Sequence, residues 1–102
     1  MCAKVLVADD SGTMRKILVR SLNALGVTDL VEAPDGVAAL ETFQKQQFDL
    51  VLTDWNMPNM TGIELLTALR DRGVTTPFGF VTSESNPEMR ERALAAGASF
   101  LL

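Results

Sequence analysis

Residues Phe48 to Gly62 read FDLVLTDWNMPNMTG. The first six are an apolar run closed by Asp54, and the remainder turns on Met57-Pro58. A short apolar run without alternation, bounded by turn residues, marks a strand buried on both faces. A carboxylate at the end of such a strand needs a reason, because a buried strand has no use for a charge. KVLVA at Lys4–Ala8 has the same form and is followed at once by Asp9 and Asp10.

Outward from these two runs the chain alternates. TDLVEA (Thr28–Ala33), PFGFVT (Pro77–Thr82) and SFLL (Ser99–Leu102) predict three further strands. Met14, Ile17, Leu18, Leu22 and Leu25 recur at helical spacing before Gly26. Pro34-Asp35-Gly36 opens a helix with Val37, Leu40 and Phe43 on one stripe. Thr61 caps a helix carrying Ile63, Leu66 and Leu69 that stops near Gly73. Asn86-Pro87 begins another with Met89, Ala93 and Ala96, ending at Gly97. Such alternation predicts an α/β fold: a doubly wound parallel sheet with right-handed crossovers and helices on both faces. Ligands in that architecture sit beyond the carboxyl ends of the strands. The residues there are Asp9, Asp10, Asp54 and Thr82.

Composition sets the bounds. A chain of 102 residues, 47% hydrophobic, suits one packed domain over residues 1–102. A net charge of −4 without a basic cluster argues against nucleic-acid binding and against a polybasic membrane patch. No run approaches the roughly 20 apolar residues of a membrane span. The lone cysteine, Cys2, permits no internal disulfide and fits a reducing cytoplasm.

Three carboxylates at one rim repel one another and favour proton uptake. A bound cation removes the conflict. The chain has no histidine and its one cysteine is remote, so zinc and copper are disfavoured and Mg²⁺ fits the oxygen donors. Phosphoryl transfer follows, with Asp54 as nucleophile and Thr82 donating its hydroxyl to a phosphoryl oxygen. Bland readings stand beside this one. Asp9-Asp10 could cap the next helix, Asp54 could open a Pro turn, and Thr82 could be structural. Their joint occurrence at successive strand ends favours the site.

VLVADDSGTMRKIL, VEAPDGVAAL, LVLTDWNMPNMTGIELL, VTSE and AAGAS together resemble the receiver domain of bacterial two-component response regulators, above all the single-domain chemotaxis type. The resemblance implies a flavodoxin-like (βα) fold with five parallel strands in the order 2-1-3-4-5. It implies that Asp54 is the phosphoacceptor and Asp10 a direct Mg²⁺ ligand. Asp9 would act through water, and the Asn56 backbone carbonyl would ligate the metal. Thr82 becomes the switch hydroxyl and Phe100 the switch aromatic, with Trp55 and Glu84 at the rim. A histidine kinase would be the phosphodonor, with Met14, Arg15 and Leu18 as a docking surface and an output partner that the letters do not name. The location implied is cytoplasmic, and the only enzymatic act is self-catalysed transfer to Asp54. The stiff Met57-Pro58 turn would aim the Asn56 carbonyl at the metal. Gly62 would lend flexibility or simply ease the helix start.

The sequence departs from that pattern in two places. It ends at Leu102, before the Lys-Pro pair and fifth helix that such receivers carry. The sheet face that helix would cover is expected to lie bare, which predicts self-association or destabilisation. An alternative function is therefore a self-associating structural module with impaired switching. A phosphohydrolase is weaker, since no histidine is available as general acid. Phe78-Gly79-Phe80 also puts a glycine inside a strand, read as volume compensation by the flanking rings, with close approach of another group as the other reading.

Overall fold

The computed structural model describes residues 3–81 and 86–101. Five strands and four helices alternate within them: β1 (Lys4–Ala8), α1 (Gly12–Ala24), β2 (Asp29–Ala33), α2 (Gly36–Lys45), β3 (Leu50–Thr53), α3 (Gly62–Asp71), β4 (Phe78–Phe80), α4 (Pro87–Ala96) and β5 (Phe100–Leu101). All strand pairs are parallel, in the order β2-β1-β3-β4-β5. This is the predicted flavodoxin-like architecture.

Local chemistry sets the boundaries. Each helix opens on a side chain that accepts a backbone N–H: Ser11 from Met14, Asp35 from Ala38, Thr61 from Glu64 and Asn86 from Met89. Thr61 and Glu64 form a reciprocal capping box. Gly97, with φ 107°, closes α4 in the left-handed conformation. The third strand is shorter than its apolar run. Phe48 turns into the core against Phe43, while the Asp49 carboxylate accepts the Lys4 N–H at 2.8 Å.

The sheet divides the interior. On one side Leu6, Val51, Phe78 and Phe80 pack with Leu65, Leu66 and Leu69 of α3 and Ala93 of α4. On the other, Val5, Val7 and Leu52 meet Leu18 and Leu22 of α1. Two predicted stripes are narrower than expected. Ile17 and Leu25 of the α1 segment are 51% and 80% exposed, and Val37 of α2 faces outward while Gly36 and Ala39 are buried.

The face expected to lie bare carries no exposed large apolar strand residue among those described; Val5, Val7 and Leu52 are buried. The half-buried ring of Phe100 lies across Gly79, so closely that a Cβ at 79 would collide with it. Successive strand residues point to opposite faces. Phe78 and Phe80 therefore fill the α3 side and leave the space at Gly79 open. The Phe100 ring fills that space, and close approach, not volume compensation, accounts for the glycine.

Candidate functional site

Register creates the site. Ala8 pairs with Thr53 on adjacent parallel strands, so Asp9 and Asp54 are the next residues on each. The Asp54 N–H donates to the Ala8 carbonyl at 3.0 Å, extending the ladder by one step. Neighbouring strands lie about 4.8 Å apart. Carboxylate oxygens of Asp9, Asp10 and Asp54 accordingly fall within 4.8 Å of one another.

The three acids differ in surroundings. Asp9 is 2% exposed, Asp54 is half-buried and Asp10 is exposed. Asp9 Oδ1 accepts the Ser11 N–H at 2.9 Å. Ser11 itself caps α1, so the acidic pair is not needed for that task. Burial holds the Asp9 carboxyl above its ordinary range; the Ser11 bond opposes this, and repulsion from Asp54 and Asp10 adds to it. Burial also raises Asp54, with Asp10 contributing repulsion, while backbone N–H groups of Trp55 and Asn56 favour the ionised form. The Trp55 N–H donates to Asp54 Oδ1 at 2.7 Å.

Three carboxylates this close, two of them partly or fully buried, repel one another, and a cation between them would relieve that repulsion. Every side-chain donor is a carboxylate oxygen, which suits a hard divalent ion that needs only one or two of them. Asp9, Asp10 and Asp54 are the residues that would hold it.

The loop after β3 is pinned along its length. Thr53 Oγ1 donates to the Asp54 carbonyl at 3.0 Å and reaches the buried Met57 sulfur at 3.6 Å. Asn59 adopts φ 67° and donates from Nδ2 to Asp35 Oδ2 at 2.9 Å, tying the loop to the start of α2. The Gly62 N–H donates to the Trp55 carbonyl at 3.0 Å. A Cβ at Gly62 would run into the Asp54 carbonyl oxygen. Gly62 is thus a point of close approach behind Asp54 rather than a source of flexibility. Its signal in the sequence was slight: glycine in a first helical turn is a poor helix former without a contact reason.

Other predicted residues are placed as follows. Trp55 is buried, not at the rim; its ring lies 4.9 Å from that of Phe80, with the Arg92 guanidinium 5.5 Å above it. Asn56 is exposed on the loop. Phe100 belongs to the cluster on the α1 side. Leu18, half-buried, packs against that cluster too, and the half-buried Arg15 turns back toward β1. Thr82 and Glu84 lie outside the described residues. Among the described residues no helix is long and apolar enough to cross a membrane.

Comparison with known proteins agrees with this geometry. The model of the response regulator receiver domain matches residues 5–102. The chemotaxis protein CheY of Pseudomonas aeruginosa is 43% identical over 98 residues, covering 94% of this chain and 79% of that protein. The sensor protein EvgS of Escherichia coli is 43% identical over 98 residues, 96% of this chain, which spans only 8% of that protein's length. The structure of chemotaxis protein CheY4 of Vibrio cholerae superposes with a TM-score of 0.91 at 38% identity, covering 100% of this chain and 86% of that one. By fold and by sequence over nearly its whole length, this chain belongs to the response regulator receiver domain family.

Proposed function

We propose that residues 1–102 act as a phosphorylatable switch that takes a phosphoryl group from a histidine kinase onto Asp54. The convergence of Asp9, Asp10 and Asp54 from the ends of two adjacent strands is the observation that carries this reading. An oxygen of Asp54 attacks phosphorus, the bond from phosphorus to the donor nitrogen breaks, and the departing imidazole takes a proton. Mg²⁺ bound by the acids supplies charge neutralisation for the transferred group. Asp10 and Asp54 would hold the ion, with Asp9 beside them acting through water and the Asn56 carbonyl as a further oxygen donor. The Trp55 N–H, already directed at Asp54, steadies the carboxylate for attack. Thr82 would donate its hydroxyl to a phosphoryl oxygen, and Phe100 would serve as the switch aromatic. The transfer takes place in the cytoplasm.

The test is incubation with Mg²⁺ and acetyl phosphate, read by intact mass. We expect one phosphoryl adduct on the wild-type chain, none without Mg²⁺, and none in Asp54→Asn, a loss of at least 100-fold. An adduct that survives Asp54→Asn would reject Asp54 as the acceptor.

A further inference from the structure

Arg15 lies on α1, yet its guanidinium turns back to the end of β1. Its Nη1 donates to the Asp9 backbone carbonyl at 2.6 Å. Its Nε donates to Glu32 Oε1 at 3.3 Å. Glu32 sits in β2 beside Ala33, and the Ala33 carbonyl accepts the Asp9 N–H at 3.1 Å. The Asp9 peptide is therefore held on both sides by one strand, directly at its N–H and through Arg15 at its C=O.

We infer that Arg15, oriented by Glu32, is a positioning residue for the metal-binding acids. The guanidinium forms no hydrogen bond with a carboxylate of the cluster: its donors go to a carbonyl and to Glu32. It fixes where the chain leaves β1. Past that point nothing in the sheet ladder holds Asp10, which stands exposed. A planar fork with several donors can reach a carbonyl and a carboxylate at once, which a lysine ammonium on a flexible stem does less well. Partners behind a metal's direct ligands commonly change affinity by about 10–100-fold. Arg15 acts one bond further back, through the peptide, so on the order of tenfold is expected.

This inference rests on the metal reading above, and the experiment separates the two. Calorimetric titration with Mg²⁺ is run on wild type, Arg15→Met, Arg15→Lys and Glu32→Gln. Amide hydrogen exchange of Asp9 is measured by NMR on the same four proteins without metal. We expect Arg15→Met to weaken Mg²⁺ about tenfold. Arg15→Lys should recover only part of that loss and Glu32→Gln should cost about threefold. In the metal-free proteins the Asp9 amide should exchange faster in Arg15→Met and recover in part in Arg15→Lys, with melting temperatures within about 3 °C, as for a surface ion pair. Unchanged Asp9 exchange in Arg15→Met overturns the positioning role whatever the metal does. Equal Mg²⁺ affinity in wild type and Arg15→Met overturns it as well. If wild type takes up no Mg²⁺ while Asp9 exchange responds to Arg15 as expected, the metal reading fails and the positioning of Asp9 stands.

Discussion

Asp9→Asn raises the melting temperature of the metal-free chain at neutral pH and removes most of the stabilisation that Mg²⁺ brings to the wild type. The substitution keeps an oxygen to accept the Ser11 N–H, so packing and the local bond survive. What it removes is a charge that is 2% exposed and within 4.8 Å of two others. At an effective dielectric of 20, a pair of charges at that distance repels by about 3.5 kcal/mol. Protonation and solvent absorb part of this, so relief of about 1–3 kcal/mol is expected, or about 4–24 °C. For the wild type, Mg²⁺ at ten times its Kd should add about 1.4 kcal/mol, or about 6–11 °C.

The pH dependence has a definite sign. Asp9 and Asp54 have folded pKa values raised above the ordinary 3.8. Their contribution is fully favourable below that ordinary value and is lost as pH rises through the raised folded values. Metal competes with those protons. The Mg²⁺ gain should therefore be largest at neutral pH and shrink as pH falls through the raised folded values, where Asp9 and Asp54 take up protons instead. Asp35 runs the other way, lowered by the Ala38 N–H and by Asn59, and it loses its contribution as pH falls. The difference between wild type and Asp9→Asn cancels the Asp35 effect, and differential scanning calorimetry from pH 4 to 8 measures it. A Mg²⁺ shift of equal size in both proteins would contradict this electrostatic account.

Gly62→Ala has the other large effect. The added methyl would meet the Asp54 carbonyl and lie 2.7 Å from Phe80 Cε1. Neither neighbour can retreat easily. The Asp54 N–H is bonded to Ala8, its carbonyl accepts the Thr53 hydroxyl, and Phe80 is fully buried. Overpacking of this kind costs about 1–3 kcal/mol, and the upper end applies to a rigid contact. We expect melting to fall by about 10–20 °C. Misplacement of Asp54 by about 1 Å should also slow adduct formation about 100-fold. Gly12→Ala is the control. Its methyl would lie 3.7 Å from Arg15 Nη2, an ordinary contact, and alanine favours a helix by about 1 kcal/mol over glycine. Loss of stability in Gly12→Ala as large as in Gly62→Ala would show that the crowding at Asp54 is not the cause.

The sequence carried the order of elements because each announces itself locally. Buried parallel strands are apolar runs, and Thr61, Asn86 and Gly97 punctuate helices through chemistry confined to one turn. The convergence of Asp9 and Asp54 was legible for a related reason: in a parallel sheet both lie at the same rim, whatever fills the core. Features that depend on distant partners were not legible. Gly79 as a letter shows only a missing side chain, and the ring that occupies its place belongs to β5. Trp55 follows a half-buried rim carboxylate in the chain yet buries its ring against Phe80 and under Arg92 of α4. Arg15 is one of several basic residues along α1, and nothing near it in sequence says that it bonds the Asp9 carbonyl. Ile17 and Leu25 fit the helical period, but α1 turns Leu18 and Leu22 toward the sheet and leaves these two outside.

A crystal grown with Mn²⁺ in place of Mg²⁺ and measured at the manganese absorption edge tests directly whether the three acids share one hard cation. The expected result is a single anomalous peak about 2.0–2.2 Å from oxygens of Asp10 and Asp54, with Asp9 within reach of a bound water. A peak at another part of the surface, with the space between these carboxylates free of signal, would contradict the account.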